Sequence, residues 1–569
     1  MEIARARPIG SQARATAVDT TLALAPWGYV GLLLVSWALF VLAVRETGPV
    51  VIQWPALLGL LSYLHWTYWV GLGVLLGTAL LVYLDRSLES NFLFVAIALS
   101  VGIYILGLTV FLEPNARTPA SYGNFVEVRV LQHAGRLNFA EPLAASSYRN
   151  WPGSLFLLHA VMQVTGVNNY VDLTRFLPLA WPFILVAITQ ALGRTLRLAP
   201  RQTFLLSLLP LATTLGWHDY LSTFLGEILF LLAVTLLLDP DRGVATTFML
   251  IILAFALVIT HPVISLALLL TAVALMVTRG TSSTFPLLLL TLLGVWHVYA
   301  ALSFTDYFLN DFLGTLWRPV VAGQFQSSSY ETVGPVSEAR LASRYAGAAF
   351  FSLYALLALW GAVWFVRHRR EGAQAQMVGK VLLMAAALAP IAISVGLGAE
   401  GLARTLVLGA PLIVLALALT RPSKALAGLL LVGLPVLLLF AQYSLEGIWP
   451  YVGTSSLRGS DFFATRVERP PPSFFAYHGV HDLVTYYNPA YLPALSVDSW
   501  SVTDLGLRNA RQSQLEHVSY LLFNQQGHDT MRWVWGFDPF WSWRQTSGAQ
   551  RADLIYDNGP FEIYRNAGD

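Results

Sequence analysis

The stretch LTVFLEPNARTPASYGNFVEVR, residues 108–129, changes abruptly from apolar to polar sequence. Residues 108–112 continue an apolar run, Glu113 and Pro114 follow, and polar residues then take over. A carboxylate is costly inside a bilayer, and proline cannot continue a helix because it lacks the backbone N–H donor. Glu113 therefore marks either the point at which the chain leaves a membrane or a functional group held at that point.

The composition indicates that most of the chain has lipid as its solvent. Of the 569 residues, 56% are hydrophobic and 12% are charged, whereas soluble proteins carry about 25% charged residues. The formal net charge of +2 gives no basic field that would attract nucleic acid. Cysteine is absent, which excludes disulfides, thiolate metal sites and cysteine nucleophiles.

Thirteen apolar runs are candidate membrane-spanning helices, since a spanning helix needs about 20 apolar residues. The first run is too long for the core of a signal peptide, so we expect a retained anchor. Several runs between 203 and 302 are short, and we expect neighbouring helices or local bilayer thinning to accommodate them. The runs are 22–44, 66–84, 91–112, 176–196, 203–216, 223–238, 244–260, 263–278, 284–302, 345–366, 378–397, 403–420 and 425–442.

Lys and Arg residues concentrate in alternate short connections, and such connections usually face the cytoplasm. This bias predicts a protein of the plasma membrane with its N-terminus inside and, after thirteen spans, its C-terminus outside. Three long segments then lie outside the cell, at 113–175, 303–344 and 443–569. The cytoplasmic connections would hold Arg86, Arg194, Arg197, Arg201, Arg242, Arg279, Arg367, Arg369, Arg370, Lys380, Arg421 and Lys424.

The tail has a different character from the rest of the chain. It has no spanning run and is rich in Pro, Asn, Asp, Trp and Tyr. LSVDSWSV and HVSYLLF are typical of strands, and DLIYDNGPFEIYR of a hairpin, because Asn558 and Gly559 tolerate the positive φ of a tight turn. We therefore expect an all-α, multi-span membrane domain, residues 1–442, and a small α/β or β extracytoplasmic domain, residues 443–569.

The first outer segment contains two short helical patterns. NFVEVRVLQHAGRLN places its apolar residues on one face, with Glu127 off that face, as in a helix that lies on a membrane surface. SYRNWPGSLFLLHAVMQVTG places Tyr148 and Trp151 at an interface, begins a helix at Pro152 and ends it at Gly166. Residues 153–165 are too few to span a bilayer, so this helix should be re-entrant or packed under the loop.

The order of these pieces resembles the GT-C superfamily of integral membrane glycosyltransferases, in particular a poorly characterised prokaryotic branch with a soluble C-terminal domain. A helix ends on an acidic residue, a surface helix follows, and the WPG segment precedes a span that opens near Arg175. ITHPVISLALLL, EGLARTLVLGAPLIVL and DLIYDNGPFEIYR agree with the later parts of that pattern. The resemblance covers most of the chain as an architecture.

The resemblance implies transfer of a sugar from a polyprenyl-phosphate donor to a lipid, glycan or protein acceptor on the outer face. A carboxylate of the first outer loop would act on the acceptor proton, and Glu113 and Glu127 are the candidates. Many relatives carry an acidic pair about 15 residues before the loop glycine, but counting back from Gly135 gives residues 119–121, which hold no acid. Either Glu113 or Glu127 takes that role, or this member has lost or changed its chemistry.

Other candidates follow from their positions near the outer face, and each has a plainer alternative. Glu227 lies inside an apolar run, where a carboxylate is functional by default, although it can equally bond a neighbouring helix. Arg404 lies where a lipid phosphate would sit, yet Glu400 and Arg404 are also spaced as a helical ion pair. The remaining candidates for contact with the substrate are Tyr148, His218, Asp219, His261 and Arg344. A position in a turn or at the membrane interface also explains why each of these residues is polar or charged.

Two further functions remain open at this point. A transporter or flippase would explain the many spans but not the long outer segments. A non-catalytic envelope scaffold that binds a glycan or lipid would explain the missing acidic pair. We expect no cofactor beyond the lipid-linked donor, and His478, His481 and Asp482 are too few for a metal site. The sugar, the acceptor and the oligomeric state are not encoded in any recognisable motif.

Overall fold

The computed structural model describes residues 25–566 except 52–57, 86, 89, 118, 136–149, 168, 209–220, 279–281, 303–304, 306–337, 371, 395–398, 421, 446–451, 453, 468–472, 477–479, 488–494, 499–518, 526–527 and 529–551. The chain is mostly helical. The first twelve helices are α1 Pro26–Thr47, α2 Trp66–Leu84, α3 Asn91–Leu106, α4 Leu108–Leu112, α5 Pro119–Ala134, α6 Gly153–Thr165, α7 Tyr170–Thr195, α8 Pro200–Leu208, α9 Leu221–Leu237, α10 Val244–Thr260, α11 Pro262–Val277 and α12 Thr284–Tyr299.

The later helices complete the bundle and lead into the tail. They are α13 Glu338–His368, α14 Ala373–Ala386, α15 Ala389–Ser394, α16 Ala399–Thr420, α17 Lys424–Gly428, α18 Leu434–Leu445, α19 Thr454–Arg466 and α20 Val480–Tyr487. A π-helical turn, Leu429–Gly433, joins α17 to α18. A helix therefore lies at each of the thirteen predicted positions, although residues 209–216 of the fifth lie outside the described residues.

Among the described residues, four helices are long and apolar enough to cross a membrane: Pro26–Thr47, Trp66–Leu84, Val171–Thr195 and Ala373–Ile391. Several others are shorter. The sequence predicts this for the middle of the chain, as in α9, but not for the run 91–112, which divides at Gly107 into α3 and α4. Helices of 16–17 residues, such as α3 and α9, are about 24–26 Å long at 1.5 Å per residue. That is less than the ~30 Å hydrocarbon core of a bilayer, so the count of thirteen crossings stays a prediction.

One end of the bundle is closed by contacts between connections that the arginine bias places in the cytoplasm. The Tyr29 hydroxyl donates to Asp85 Oδ2 at 2.9 Å, and Arg201 donates to the Asp85 carbonyl at 2.5 Å. Next along the chain, Gln202 Nε2 donates to the Ala418 carbonyl at 2.7 Å. These connections therefore meet at one end, as an up-and-down bundle requires. Which end faces the cytoplasm stays a prediction from the sequence.

Asp85 gives this end a specific dependence on pH. The Ser87 hydroxyl donates to its carboxylate at 2.6 Å and lowers the pKa of Asp85, and the Ser87 amide, Tyr29 and Arg201 lower it further while burial opposes them. Because the pKa in the folded state lies below the unfolded value of about 4, Asp85 stabilises the fold above that pH. This stabilisation disappears as the pH falls through the folded pKa.

We therefore expect acidification from neutral pH to pH 3 to lower the Tm of the wild type in detergent more than the Tm of Asp85→Asn. Thermal unfolding at a series of pH values measures this difference, and comparing the two profiles removes the contribution of the other carboxyl groups. Parallel profiles of Tm against pH for the two proteins would contradict the assignment of this pH dependence to Asp85.

The tail folds around a five-stranded mixed sheet. The strands are β1 Ser473–Ala476, β2 Leu495–Asp498, β3 Tyr520–Asn524, β4 Ala552–Asp557 and β5 Phe561–Asn566, in the order β2-β1-β3-β5-β4. β1 runs parallel to β2 and β3, whereas β3, β5 and β4 are antiparallel. The predicted hairpin is confirmed: Gly559 has φ of +83°, and the Asn558 amide donates to the Phe561 carbonyl at 3.1 Å.

Helix α19 packs closely on this sheet. A Cβ built on Gly459 would lie 2.2 Å from the ring of Phe561, so only glycine lets the helix approach β5. Around this contact lies a small core of buried side chains, which includes Phe463, Phe474, Leu521, Phe523 and Ile563. Of the two predicted tail classes, the α/β fold is the one observed. The boundary at residue 442 stays a prediction.

Candidate functional site

The local sequence places Glu113 at the end of a helix. Helices α3 and α4 meet at Gly107, where a Cβ would lie 2.8 Å from the Leu179 side chain, so α4 comes close to α7. Helix α4 ends at Leu112, whose carbonyl accepts a hydrogen bond from the Val50 amide at 2.8 Å. Pro114 cannot continue the helix. Glu113 is therefore the residue that caps it.

Glu113 forms a buried ion pair with Arg117. Arg117 Nε lies 3.8 Å from Glu113 Oε1, and the two side chains are 5% and 1% exposed. The guanidinium carbon of Arg117 also lies 5.5 Å from the centroid of the Tyr443 ring, within the range of a cation–π contact. Since water is excluded, the charges interact more strongly than they would at the surface.

Three further contacts tie distant parts of the chain to the region of this pair. Asn115 Nδ2 donates to the Val452 carbonyl at 3.0 Å, which joins the first loop to the segment that leads into the tail. Arg175, in the first turns of α7, donates to the Val110 carbonyl at 3.3 Å. The Tyr443 hydroxyl donates to the Ile105 carbonyl at 2.5 Å. A carboxylate and two arginines thus lie at one end of the bundle, where α4, α7 and α18 meet.

Helix α5 is not the membrane-surface helix that its apolar face predicts. It packs against α6 and α7 of the bundle and against α20 of the tail. Glu127, which the pattern places off the apolar face of this helix, is 1% exposed, so it does not face solvent as a residue on the polar side of a surface helix would. Ser121 and Asn124, polar residues of the same helix, are buried as well. Helix α20 contributes to this burial, and it lies about 350 residues further along the chain, beyond the reach of a local pattern.

The WPG turn that begins α6 rests on the α10–α11 junction. A Cβ on Gly153 would lie 2.4 Å from Thr260 Oγ1. Beside it, Trp296 Nε1 donates to the Asn150 carbonyl at 2.9 Å. The ring of Trp151 stands edge-on to His297, with centroids 6.1 Å apart. The short helix is therefore fixed to the bundle by tight packing.

His261 and Glu227 lie close to this turn. His261 is 4% exposed, and its Nδ1 accepts a hydrogen bond from the Ile264 amide at 3.4 Å, so it caps α11. A Cβ on Gly226 would lie 3.3 Å from His261 Cβ, which places α9 against the cap. Glu227, the next residue of α9, is 6% exposed. The plainer interpretation of His261, as a residue of a turn between two helices, is thus present in the structure, and its capping of α11 was not predicted.

Replacing Gly153 by Ala tests the packing of the WPG turn. The new methyl group would overlap Thr260 Oγ1, and the Ile259 carbonyl oxygen is only 3.1 Å from it, so we expect a cost of about 1–3 kcal/mol. Thermal unfolding should show a lower Tm for Gly153→Ala and partial recovery in Gly153→Ala/Thr260→Ala. Gly294→Ala is the matched control, because no atom lies within 4 Å of its built Cβ. Equal Tm values for the two single variants would contradict the packing.

The other predicted site residues are not placed. Tyr148, His218 and Asp219 lie outside the described residues. Arg344 belongs to α13 and Glu400 and Arg404 to α16, but their side chains are also outside the described part of the chain. Within the described part, no three His, Asp or Glu side chains group as a metal site would require. The structure pairs Glu113 with Arg117, places Tyr443 against Arg117, and joins Arg175 to the Val110 carbonyl of α4.

Comparisons with known proteins add the following. No protein-family model matches the chain, and no curated protein matches it. The structure of ArnT from Cupriavidus metallidurans bound to undecaprenyl phosphate aligns with 84% of this chain and 98% of its own, at 13% identity and a TM-score of 0.36. The apo structure of the same protein aligns with 83% and 97%, at 12% identity and a TM-score of 0.37. Values this low assign neither an activity nor a substrate to this chain.

Proposed function

We propose that this chain is a GT-C-type membrane glycosyltransferase that moves a sugar from a polyprenyl-phosphate donor to an acceptor at the end of the bundle that holds Glu113. The observation that carries the proposal is the buried Glu113–Arg117 pair at the mouth of the first outer loop. A carboxylate at this junction is what the resembled architecture uses to act on the acceptor. The order of sequence pieces around it supports the same assignment.

The chemistry needs a base and a cation at one place. The acceptor O–H or N–H gives its proton to a carboxylate, and the acceptor atom attacks the anomeric carbon. The bond between that carbon and the phosphate oxygen breaks, and polyprenyl phosphate leaves with the electron pair. A base must reach the acceptor proton, and guanidinium groups stabilise the charge that develops on the phosphate. Glu113 is our candidate base, Arg117 is its ion-pair partner, and Arg175 contacts the same helix, α4, through the Val110 carbonyl.

The remaining residues take proposed supporting roles. Glu127, buried in α5, is the second candidate base. Arg404, Arg344 and Glu400 begin spans on the same predicted face and would contact the donor phosphate or the acceptor. Tyr148, His218, Asp219 and His261 are proposed substrate contacts from their positions in the outer connections. In this proposal the membrane is the plasma membrane, the tail lies outside the cell, and no cofactor besides the donor lipid is required.

Product analysis in proteoliposomes tests the proposal. Purified protein is supplied with a panel of polyprenyl-phosphate sugars and with lipid, glycan and peptide acceptors, and glycosylated product and free polyprenyl phosphate are quantified together. We expect the wild type to yield glycosylated product and free polyprenyl phosphate in equal amounts. We do not expect this result for Arg404→Ala. Movement of intact donor across the bilayer without product would support a flippase. Binding of a glycan or lipid without turnover would support the scaffold.

A further inference from the structure

A cleft of about 860 Å³ lies between α13 and α14. It is at the opposite end of the bundle from Glu113, since Gln374 at the start of α14 donates to the Leu419 carbonyl, beside the contact of Gln202 with Ala418. Its volume is within the about 300–1,000 Å³ typical of small-molecule sites. No step of the proposed transfer reaction uses it.

The walls of the cleft are apolar. Helix α13 contributes Leu359, Ala362 and Phe365, and α14 contributes Leu382 and Leu383. Leu359 is 61% exposed and Leu383 is 38% exposed, so the cleft opens on the outer surface of the bundle, where lipid chains lie. A hydrocarbon chain in this cleft would cover apolar side chains that are otherwise exposed on the surface of the protein.

One end of the cleft carries positive charge. Arg369 and Lys380 line it together with Gln376. Lys380 is half-buried, and its aliphatic stem can follow the apolar wall while its amine reaches the interface. In the sequence from 366 to 381, five basic or histidine side chains accompany one acid, Glu371. The cleft thus combines apolar walls that fit a hydrocarbon chain with a positively charged end that fits an anion.

We propose that this cleft binds one anionic glycerophospholipid, with an acyl chain between α13 and α14 and the headgroup phosphate between Arg369 and Lys380. Basic pockets between helices at the cytoplasmic face are suited to such headgroups, because the inner leaflet supplies acidic lipids. The arginine bias predicts that this end of the bundle faces the cytoplasm. The inference is independent of the transferase function, since it concerns the other end of the molecule.

Native mass spectrometry of the full-length protein in detergent tests the site. Phosphatidylglycerol and phosphatidylcholine with the same acyl chains are titrated against wild type and Arg369→Gln/Lys380→Gln. We expect a preference for phosphatidylglycerol that falls about 25-fold in the variant, since each cation near an acidic headgroup contributes about fivefold. Arg367→Gln/Arg370→Gln is the matched control, because it removes two charges near the junction of α13 and α14 from residues that do not line the cleft.

Three outcomes of this titration would overturn the proposal. An equal loss in the control variant would show a general charge effect rather than a site. Equal binding of the two lipids by wild type would exclude recognition of the anionic headgroup, and displacement by lower concentrations of a polyprenyl phosphate would exclude a glycerophospholipid as the occupant.

Ala362→Trp provides a second test, since it fills the apolar wall and keeps both cations. It should weaken phosphatidylglycerol binding, and unchanged binding would contradict the cleft.

Discussion

Glu113→Gln is expected to lower kcat for sugar transfer by at least about 100-fold, because a positioned general base contributes about 10²–10⁴-fold. Glutamine keeps the size of the side chain and a carbonyl acceptor, but it cannot take the acceptor proton. The change should therefore reduce kcat more than it raises KM. Initial rates with a saturating polyprenyl-phosphate sugar and varied acceptor separate the two parameters.

The chain supplies matched controls for this variant. Asp241→Asn makes the same carboxylate-to-amide change in an exposed ion pair with Arg197, whose partners are 74% and 78% exposed. Exposed pairs contribute little to stability, so this variant should transfer sugar at the wild-type rate. Glu127→Gln tests the second candidate base. Full activity in Glu113→Gln together with a large loss in Glu127→Gln would move the catalytic role to α5.

Local chemistry made parts of the fold predictable from sequence. The hairpin followed from Asn558 and Gly559, because few residues accept positive φ. The end of α6 followed from Gly166, which has φ of +69° and caps the helix in the left-handed region. In both places the deciding interaction lies within a few residues of the motif, so no knowledge of the rest of the fold was needed.

The candidate site could be predicted only in part from the sequence, because some of its residues come from distant segments of the chain. Glu113 could be found from the helix end that it marks. Arg117 could not, since residues 113–117 are not helical and the i,i+4 rule applies only within a helix. Tyr443 lies more than 300 residues from Arg117, and no pattern in the sequence connects the two. The burial of Glu127 likewise depends in part on α20, a helix of the tail.

The Glu113–Arg117 pair should also have a large effect on stability. Removing one partner of a buried ion pair leaves the other charge without compensation, at a cost of about 3–5 kcal/mol. Arg117→Met removes the guanidinium and keeps an unbranched side chain beside Tyr443, so we expect a markedly lower Tm in detergent. Thermal unfolding followed by tryptophan fluorescence, with Asp241→Asn as the control, measures the effect.

The double variant separates a structural pair from a catalytic one. When both charges are replaced, no unpaired charge remains, and buried ion pairs replaced by apolar groups of similar volume often lose no stability. Glu113→Gln/Arg117→Met should therefore regain much of the Tm that Arg117→Met loses, because the glutamine is neutral. Activity should not return with it, since the double variant still lacks the base. Recovery of both Tm and transfer would show that the pair only holds α4 against α18, and that the proton goes to another group.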